Sequence, residues 1–312
     1  MSDRYFDPWT RNTFLTFTVT KFHESFETPF QKIEVFEALD YGMVLALGGV
    51  TNVTERDESG YHEMLTHMAM FAHPAPKRVL IIGGGDGGTL REVLRHPEVE
   101  EAHLVDIDGE VIRVSRQYFP DVAAALDHPK ARVIVDDGVA FVERAVANRE
   151  QYDLILVDST DPVDAAVDLF TEGFYRNCAA LLGEKGILVP QSDSPSFYLD
   201  RVARIHELLS SIYKHARLYL GQTLSYPGCV WAFTAASQGI DVGAVPVPAA
   251  RVAAIEADLR VFNADIMRAC TALPNYIRRR IEGGPTWSLP TIADEVGPGT
   301  IWRPGTEKPS QD

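Results

Sequence analysis

At positions 79–88 the chain reads VLIIGGGDGG. Four branched apolar residues running into a glycine turn are what a buried parallel strand looks like where it ends at a bound small molecule. The aspartate among the glycines, Asp86, sets the charge of that ligand. A pyrophosphate needs the loop amides and the helix N-terminus free of negative charge, whereas a carboxylate there suits a ligand carrying positive charge.

Downstream of this stretch the same rhythm repeats. RVLIIG, EAHLVDID, ARVIVDDG, YDLILVDS and GILVPQS are short apolar runs separated by helical patterns such as GTLREVLRH, EVIRVSRQYF and VAFVERAVAN. That alternation predicts an α/β fold, a parallel sheet flanked by helices on both faces. ARLYLGQTL and CVWAFTA read as closing strands, ARVAAIEADLRVF as one amphipathic helix and LPNYIRRRI as another. Upstream, from Asn12 to about Thr54, TFLTFTVTKFHES, QKIEVFEAL and MVLALGGVTNVT are rich in β-branched and aromatic residues and broken by turn signals, which predicts a small antiparallel β-domain. The division is therefore an N-terminal β-domain over 1–60, a catalytic domain over 61–295 and a poorly ordered tail over 296–312, where prolines, glycines and charges gather.

A chain of 312 residues with 46% hydrophobic content has enough apolar surface for a large core. No signal-peptide pattern opens it and no apolar run approaches the ~20 residues of a membrane span, so a cytoplasmic protein is expected, with no membrane partner. Twenty-nine basic against forty-four acidic residues give a formal charge of −15, which disfavours nucleic acid. Cys178, Cys229 and Cys270 have no CxxC spacing and read as small buried hydrophobes.

In an open α/β sheet the ligand sits beyond the carboxyl ends of the strands. The residues there are Gly83, Gly84, Gly85 and Asp86 after the first run, Asp106 and Asp108 after the second, Asp136 and Asp137 after the third, and Asp158 and Asp161 after the fourth. A sulfonium nucleoside fits this set. Asp106 accepts from ribose hydroxyls and Asp137 from the adenine amino group, while Asp108 and Asp136 steady the turns. Asp158 and Asp161, three apart on a turn stopped by Pro162, share a cavity with Asp86. Three acids in one cleft raise at least one pKa and attract a cation, which suits a di- or polyamine substrate. An ammonium must lose its proton before it attacks, so one carboxylate acts as base and another holds the distal ammonium.

Taken together, FQKIEVFE, TERDE, YHEMLTH, VLIIGGGDGG, DDG, DSTDP, LF, YP and ALPNYI occur in the order in which similar segments occur in the polyamine aminopropyltransferase (spermidine synthase) family, and the resemblance spans nearly the whole chain. It implies a Rossmann-like, methyltransferase-type parallel sheet flanked by helices, and transfer of an aminopropyl group from decarboxylated S-adenosylmethionine, a co-substrate rather than a tightly bound cofactor, to a di- or polyamine such as putrescine, with release of methylthioadenosine. It implies that Gln31, Asp106, Asp137 and Gly138 hold the nucleoside with Gly83, Gly84, Gly85 and Ala165, and that Asp86 meets the aminopropyl ammonium. It places Tyr61, His62, Ser159, Asp161 and Tyr226 around the amine beside Asp158, the proton acceptor. Tyr61 and Tyr226 suit a narrow slot, touching methylenes with their rings and ammonium groups by cation–π contact or hydroxyl.

The chain departs from the family pattern in four places. Asp106 and Asn52 are each one methylene shorter than the usual glutamate and glutamine, Asp193 and Ser194 replace a longer acid, and the Gly-Pro pair expected after DSTDP gives way to Val163, Asp164, Ala165, Ala166, Val167 and Asp168. Asp164 adds negative charge at the amine entrance and favours more highly charged amines. His62 and His67 stand five apart, off the four-residue spacing of a metalloprotease helix, so no metal is expected; His67 and His73 read as packing or surface residues. Two other functions fit parts of the pattern. An S-adenosylmethionine methyltransferase would set the donor carboxylate against Asp86, and a non-catalytic polyamine-binding protein would have no use for Asp158 as a base. The exposed strand edges of the small domain lead us to expect a homodimer or higher homo-oligomer.

Overall fold

The computed structural model describes residues 3–10, 12–160, 168–284 and 300–302. The small N-terminal sheet is built from β1 Asp3–Thr10, β2 Thr13–Glu27, β3 Lys32–Ala38, β4 Gly42–Leu47 and β5 Val50–Thr54, with β13 Thr300–Trp302 on its outer edge, in the order β13-β1-β2-β3-β4-β5 and antiparallel throughout. Two of these strands depart from expectation. The β1 segment lies before Asn12, where the strand-rich pattern begins, though inside the expected bounds of 1–60, and its core aromatic Tyr5 is buried among Phe17 and Phe36. Residues 300–302, inside the stretch expected to be poorly ordered, pair with 4–6 of β1; the rest of that tail lies outside the described residues.

Period-two alternation joins the small domain to the large one. On β3, Phe36 faces a cluster with Tyr5, Phe17 and Val44, while Ile33 and Val35 face the opposite way and pack with Val111, Val114 and Phe119. The last three belong to α3 Gly109–Tyr118 and its exit. Burying one sheet face on a helix that begins at a strand end brings the tip of β2 and β3 to the mouth of the cleft.

All seven expected strands of the large domain form: β6 Arg78–Gly83, β7 Glu101–Asp106, β8 Ala131–Val135, β9 Tyr152–Asp158, β10 Leu182–Pro190, β11 His215–Gln222 and β12 Val230–Ser237. They lie in the order β11-β12-β10-β9-β6-β7-β8. The five strands from β8 to β10 are parallel, and β12 runs antiparallel to both neighbours, so the sheet is mixed at that edge. Strand β6 is central, with β7 on one side and β9 on the other, and its end is the point where the winding reverses. Leu80 and Ile82 face one helical layer, of α4 Gly138–Ala147, α5 Glu172–Leu181 and α6 Leu199–Ile212; Val79 and Ile81 face the other, of α1 Glu58–Ala72 and α2 Gly88–Leu94.

Every residue of α1 is buried, so its polar side chains must find partners inside the protein. One such partner explains a third departure. The expected helix over 250–262 stops as α7 Ala249–Ile255 with a single 3-10 turn at Glu256–Asp258. The amides of Arg260, Val261 and Phe262 turn instead to the Glu63 carboxylate, at 2.8, 2.9 and 2.7 Å. Helices α8 Ala264–Ala269 and α9 Asn275–Ile281 complete the fold. Among the described residues no helix is long and apolar enough to cross a membrane.

Candidate active site

The glycine turn closes directly on the end of β9. Gly83 and Asp158 are register partners, and the Gly84 amide donates to the Asp158 carbonyl at 2.8 Å. Gly84 has φ of 70°, and a Cβ built on it would stand 2.8 Å from Asp158 Oδ2, so only glycine leaves room for the carboxylate against the turn. The Thr89 hydroxyl, one residue into α2, donates to Asp158 Oδ2 at 2.6 Å, and the Tyr61 phenol also bonds the carboxylate. Asp158 is 9% exposed. Burial first, and then the negative charge of Asp86, push its carboxyl up to about 6; Thr89, Tyr61 and the charge on His62 pull the other way. A carboxylate poised there is ionised at neutral pH and still basic enough to take a proton.

Asp86 sits a few ångströms away under different control. Its Oδ1 accepts from the Gly88 amide at 2.7 Å and lies 3.2 Å from His62 Nε2. Burial pushes this carboxyl up too, but the His62 charge and the Gly88 amide outweigh it, and the net direction is below the usual carboxylate range. The polar atoms of His62, Asp86 and Asp158 lie within 4.8 Å of one another. Buried His62, on α1, reaches Glu58 Oε2 through Nδ1 at 2.7 Å. Burial opposes its charge, yet Asp86 and Glu58 together hold its pKa well above the ordinary value.

On the other side of the turn the acids are tied to backbone. Asp106 accepts from the Gly85 amide at 2.8 Å and from the Asp108 amide at 2.9 Å; burial nevertheless pushes its carboxyl up to about 6. Asp108 caps α3 and also accepts from Thr28 at 2.8 Å and from the Gln31 amide at 3.2 Å, which fixes Gln31 at the domain junction. Asp137 caps α4, accepting from the amides of Val139 and Ala140 through Oδ1 at 2.8 and 3.0 Å, and Gly138 is the first residue of that helix. Between Asp106 and Asp137 stands Val135, 60% exposed and register partner of Asp106. An apolar side chain left open between two acids is a shelf on which a flat base has room to lie, and the apolar run before DDG was its only signal in the sequence.

Tyr61 and Tyr226 face each other with ring centroids 5.5 Å apart at 61°, and Trp231 backs Tyr226 at 4.7 Å. The Tyr226 hydroxyl donates to the Asn52 carbonyl at 2.6 Å, which brings the small domain into the wall of the slot. Its loop is tied to the start of α1 by Asp57, which accepts from the Ser225 amide at 2.6 Å. Among the described residues the buried Ser159 hydroxyl has no hydrogen-bond partner. Asp193 has φ of 72°, is buried, and accepts from Arg201 and the Ser194 amide at 2.6 Å each, so its carboxylate serves the loop around it. Asp161 and Ala165 lie outside the described residues, as does most of the altered stretch after DSTDP.

His67 turns away from this cluster, with Nε2 3.1 Å from Glu92 and Nδ1 3.0 Å from His96, and connects to His62 through Glu92, Arg91 and Glu58. Cys178 is buried, but Cys229 and Cys270 are only partly so, and all three are free.

The family model of the spermine/spermidine synthase domain matches residues 58–243, and that of the spermidine synthase tetramerisation domain matches residues 8–55. The chain belongs to the spermine/spermidine synthase family. A polyamine aminopropyltransferase of Caldicellulosiruptor bescii is 39% identical over 267 residues, covering 86% of this chain and 94% of that protein. Among solved structures, spermidine synthase in complex with the transition state analogue AdoDATO is 37% identical with a TM-score of 0.86, covering 89% of this chain and 94% of that one. The spermidine synthase of Thermotoga maritima is 38% identical with a TM-score of 0.84, at the same coverage.

Sequence reasoning missed Thr89, Glu58 and Val135 in the cleft of this family member. Glu58 carried a signal, since an acid four residues before a histidine on a helix is placed to meet it. Thr89 carried none, because its partner is 69 residues away.

Proposed function

We propose that this chain transfers the aminopropyl group of decarboxylated S-adenosylmethionine to a di- or polyamine, with putrescine as the expected acceptor, and that Asp158 takes the proton. Family membership supports the reaction; what carries the residue assignment is the pair of neighbouring carboxylates with opposite tuning, Asp86 held ionised by His62 and Asp158 pushed up to about 6. An acceptor amine gives its proton to Asp158, and its nitrogen lone pair attacks the methylene carbon bonded to the sulfonium. The C–N bond forms as the C–S bond breaks, the electron pair stays on sulfur, and neutral methylthioadenosine leaves without an acid. Asp86 attracts the donor ammonium, Asp106 and Asp137 accept from ribose and adenine, and Tyr61 and Tyr226 guide the methylenes of the amine. His62 and Ser159 belong to the amine side of the cleft in this reading, and the family resemblance assigns Asp161 to the amine as well.

The match of residues 8–55 to a tetramerisation domain and the exposure of Leu39 on the small domain, at 67%, support a homo-oligomer. The deciding assay incubates the purified chain with each candidate amine and either S-adenosylmethionine or its decarboxylated form. Methylthioadenosine from the decarboxylated donor is expected; S-adenosylhomocysteine from the unmodified one would establish methyl transfer instead.

A further inference from the structure

The ring of His62 is 2% exposed and lies between two acids. Nδ1 is 2.7 Å from Glu58 Oε2 and Nε2 is 3.2 Å from Asp86 Oδ1. A carboxylate accepts and does not donate, so each ring nitrogen must carry a hydrogen, and the ring is an imidazolium. A Cβ on Gly88 would overlap the ring, so the first turn of α2 holds it in place. Behind it the charges alternate. Glu58, 6% exposed, also accepts from Arg91 at 2.7 Å, and Arg91 bonds Glu92 at 2.7 Å. The groups facing His62 are thus Glu58 and Tyr61 from its own helix, Asp86 from the glycine turn, Arg91 on α2 through Glu58, and Asp158 from β9. Among the described residues both bonds that Asp86 receives fall on Oδ1, which leaves Oδ2 for a ligand.

We propose that Glu58 is a positioning residue of the transfer reaction: through His62 it fixes the orientation and the charge of Asp86, and so gives Asp86 and Asp158 different duties in one cleft. Two carboxylates this close, without a cation, share a proton between them. An imidazolium bonded to only one of them breaks the symmetry. It keeps Asp86 as an anion for the donor ammonium and leaves Asp158 as the group that gains and loses a proton. Glu58 holds the proton on His62 without competing for Asp86, and Arg91 offsets the cost of burying Glu58. This inference rests on the assignment of Asp86 to the donor ammonium.

Glu58→Gln tests it in the full chain, because the amide keeps the shape and removes the charge. With its counter-ion gone, His62 loses its proton at lower pH, and Asp86 then faces Asp158 uncompensated. We expect the KM for the donor to rise about tenfold at neutral pH and further as pH rises, with a smaller change in the KM for the amine. Nitrogen NMR of the His62 ring should report both nitrogens protonated in the native chain through neutral pH and, in Glu58→Gln, loss of one proton as pH rises through neutral, and Glu58→Asp should restore the native pH profile in part. A Glu58→Gln variant with native donor KM and pH profile, and loss confined to thermal stability, would overturn the proposal. Asp86→Asn measured beside it separates the two failures. If only Asp86→Asn raises the donor KM, the role of Glu58 falls alone; if neither does, the assignment of Asp86 falls with it.

Discussion

Asp86 and Asp106 flank the same glycine turn, yet their carboxyls are driven in opposite directions. Among the described residues Asp106 receives two backbone amides and no cation, and burial still lifts it to about 6. Asp86 receives one amide and an imidazolium, and falls below the usual range. Amide dipoles are fixed by the fold but carry partial charge, so they only soften the cost of burying an anion; a full positive charge at hydrogen-bond distance reverses it. The side of the cleft read as holding the nucleoside is thus built on backbone and helix caps, and the side read as holding the amine on paired charges. Removing a charge should be felt most where no amide stands in for it.

The largest effect is expected at Asp158, whose carboxylate receives neither an imidazolium nor a backbone amide among the described residues. Asp158→Asn should lower turnover by ~10²- to 10⁴-fold with nucleoside affinity, measured by calorimetry, nearly unchanged; near-native turnover would remove Asp158 from the mechanism. The same substitution has a stability signature. With the folded pKa at about 6 against 3.8 for the free side chain, the native state binds the proton more tightly, so the contribution of Asp158 to stability is complete below about 4 and is lost as pH rises through about 6. Asp158→Asn should therefore be more stable than the native chain by about 1–3 kcal/mol at neutral pH and not at acid pH, as read by thermal denaturation. Activity runs the other way in the native chain, with kcat/KM rising as pH rises through about 6. A buried acid that costs stability while it supports turnover is expected of a base and not of a packing residue.

A smaller effect is expected at Thr89, whose hydroxyl stabilises the ionised form of Asp158. Thr89→Val keeps the shape and removes the bond, so the acid limb of the pH profile should move up by about one pH unit, with ~10-fold lower activity below the limb and little change above it. A uniform loss at all pH values would mean that Thr89 packs and does not tune. The smallest effect belongs to the side held by backbone. Asp137→Ala removes an exposed cap and an acceptor for adenine, and the donor KM should rise about fivefold, corresponding to ~1 kcal/mol. A loss as large as at Asp158 would erase the contrast between the two sides.

Much of this was legible in order of range. Strands β6 to β12 follow from short apolar runs, and the cleft from the acids that end them. The strand β1 was not, because DRYFDPWT contains charges and a proline and becomes a strand only where Tyr5 finds Phe17 and Phe36. The early end of α7 was not, because its cause is Glu63 on a helix 197 residues earlier.

The sequence by itself determined the alternation of strands and helices in the large domain, the glycine turn after its first strand, the acids at the strand ends and the family. These rest on hydrophobic period and turn chemistry, which act over a few residues. Only the tertiary structure decided which acid carries which charge. The proton on His62 depends on Asp86 arriving from another element, the tuning of Asp158 on Thr89 across 69 positions, and the slot wall on Tyr226 reaching Asn52 across 174. Electrostatic interaction falls with distance in space and not along the chain, so the duties of these residues are settled only when packing sets those distances.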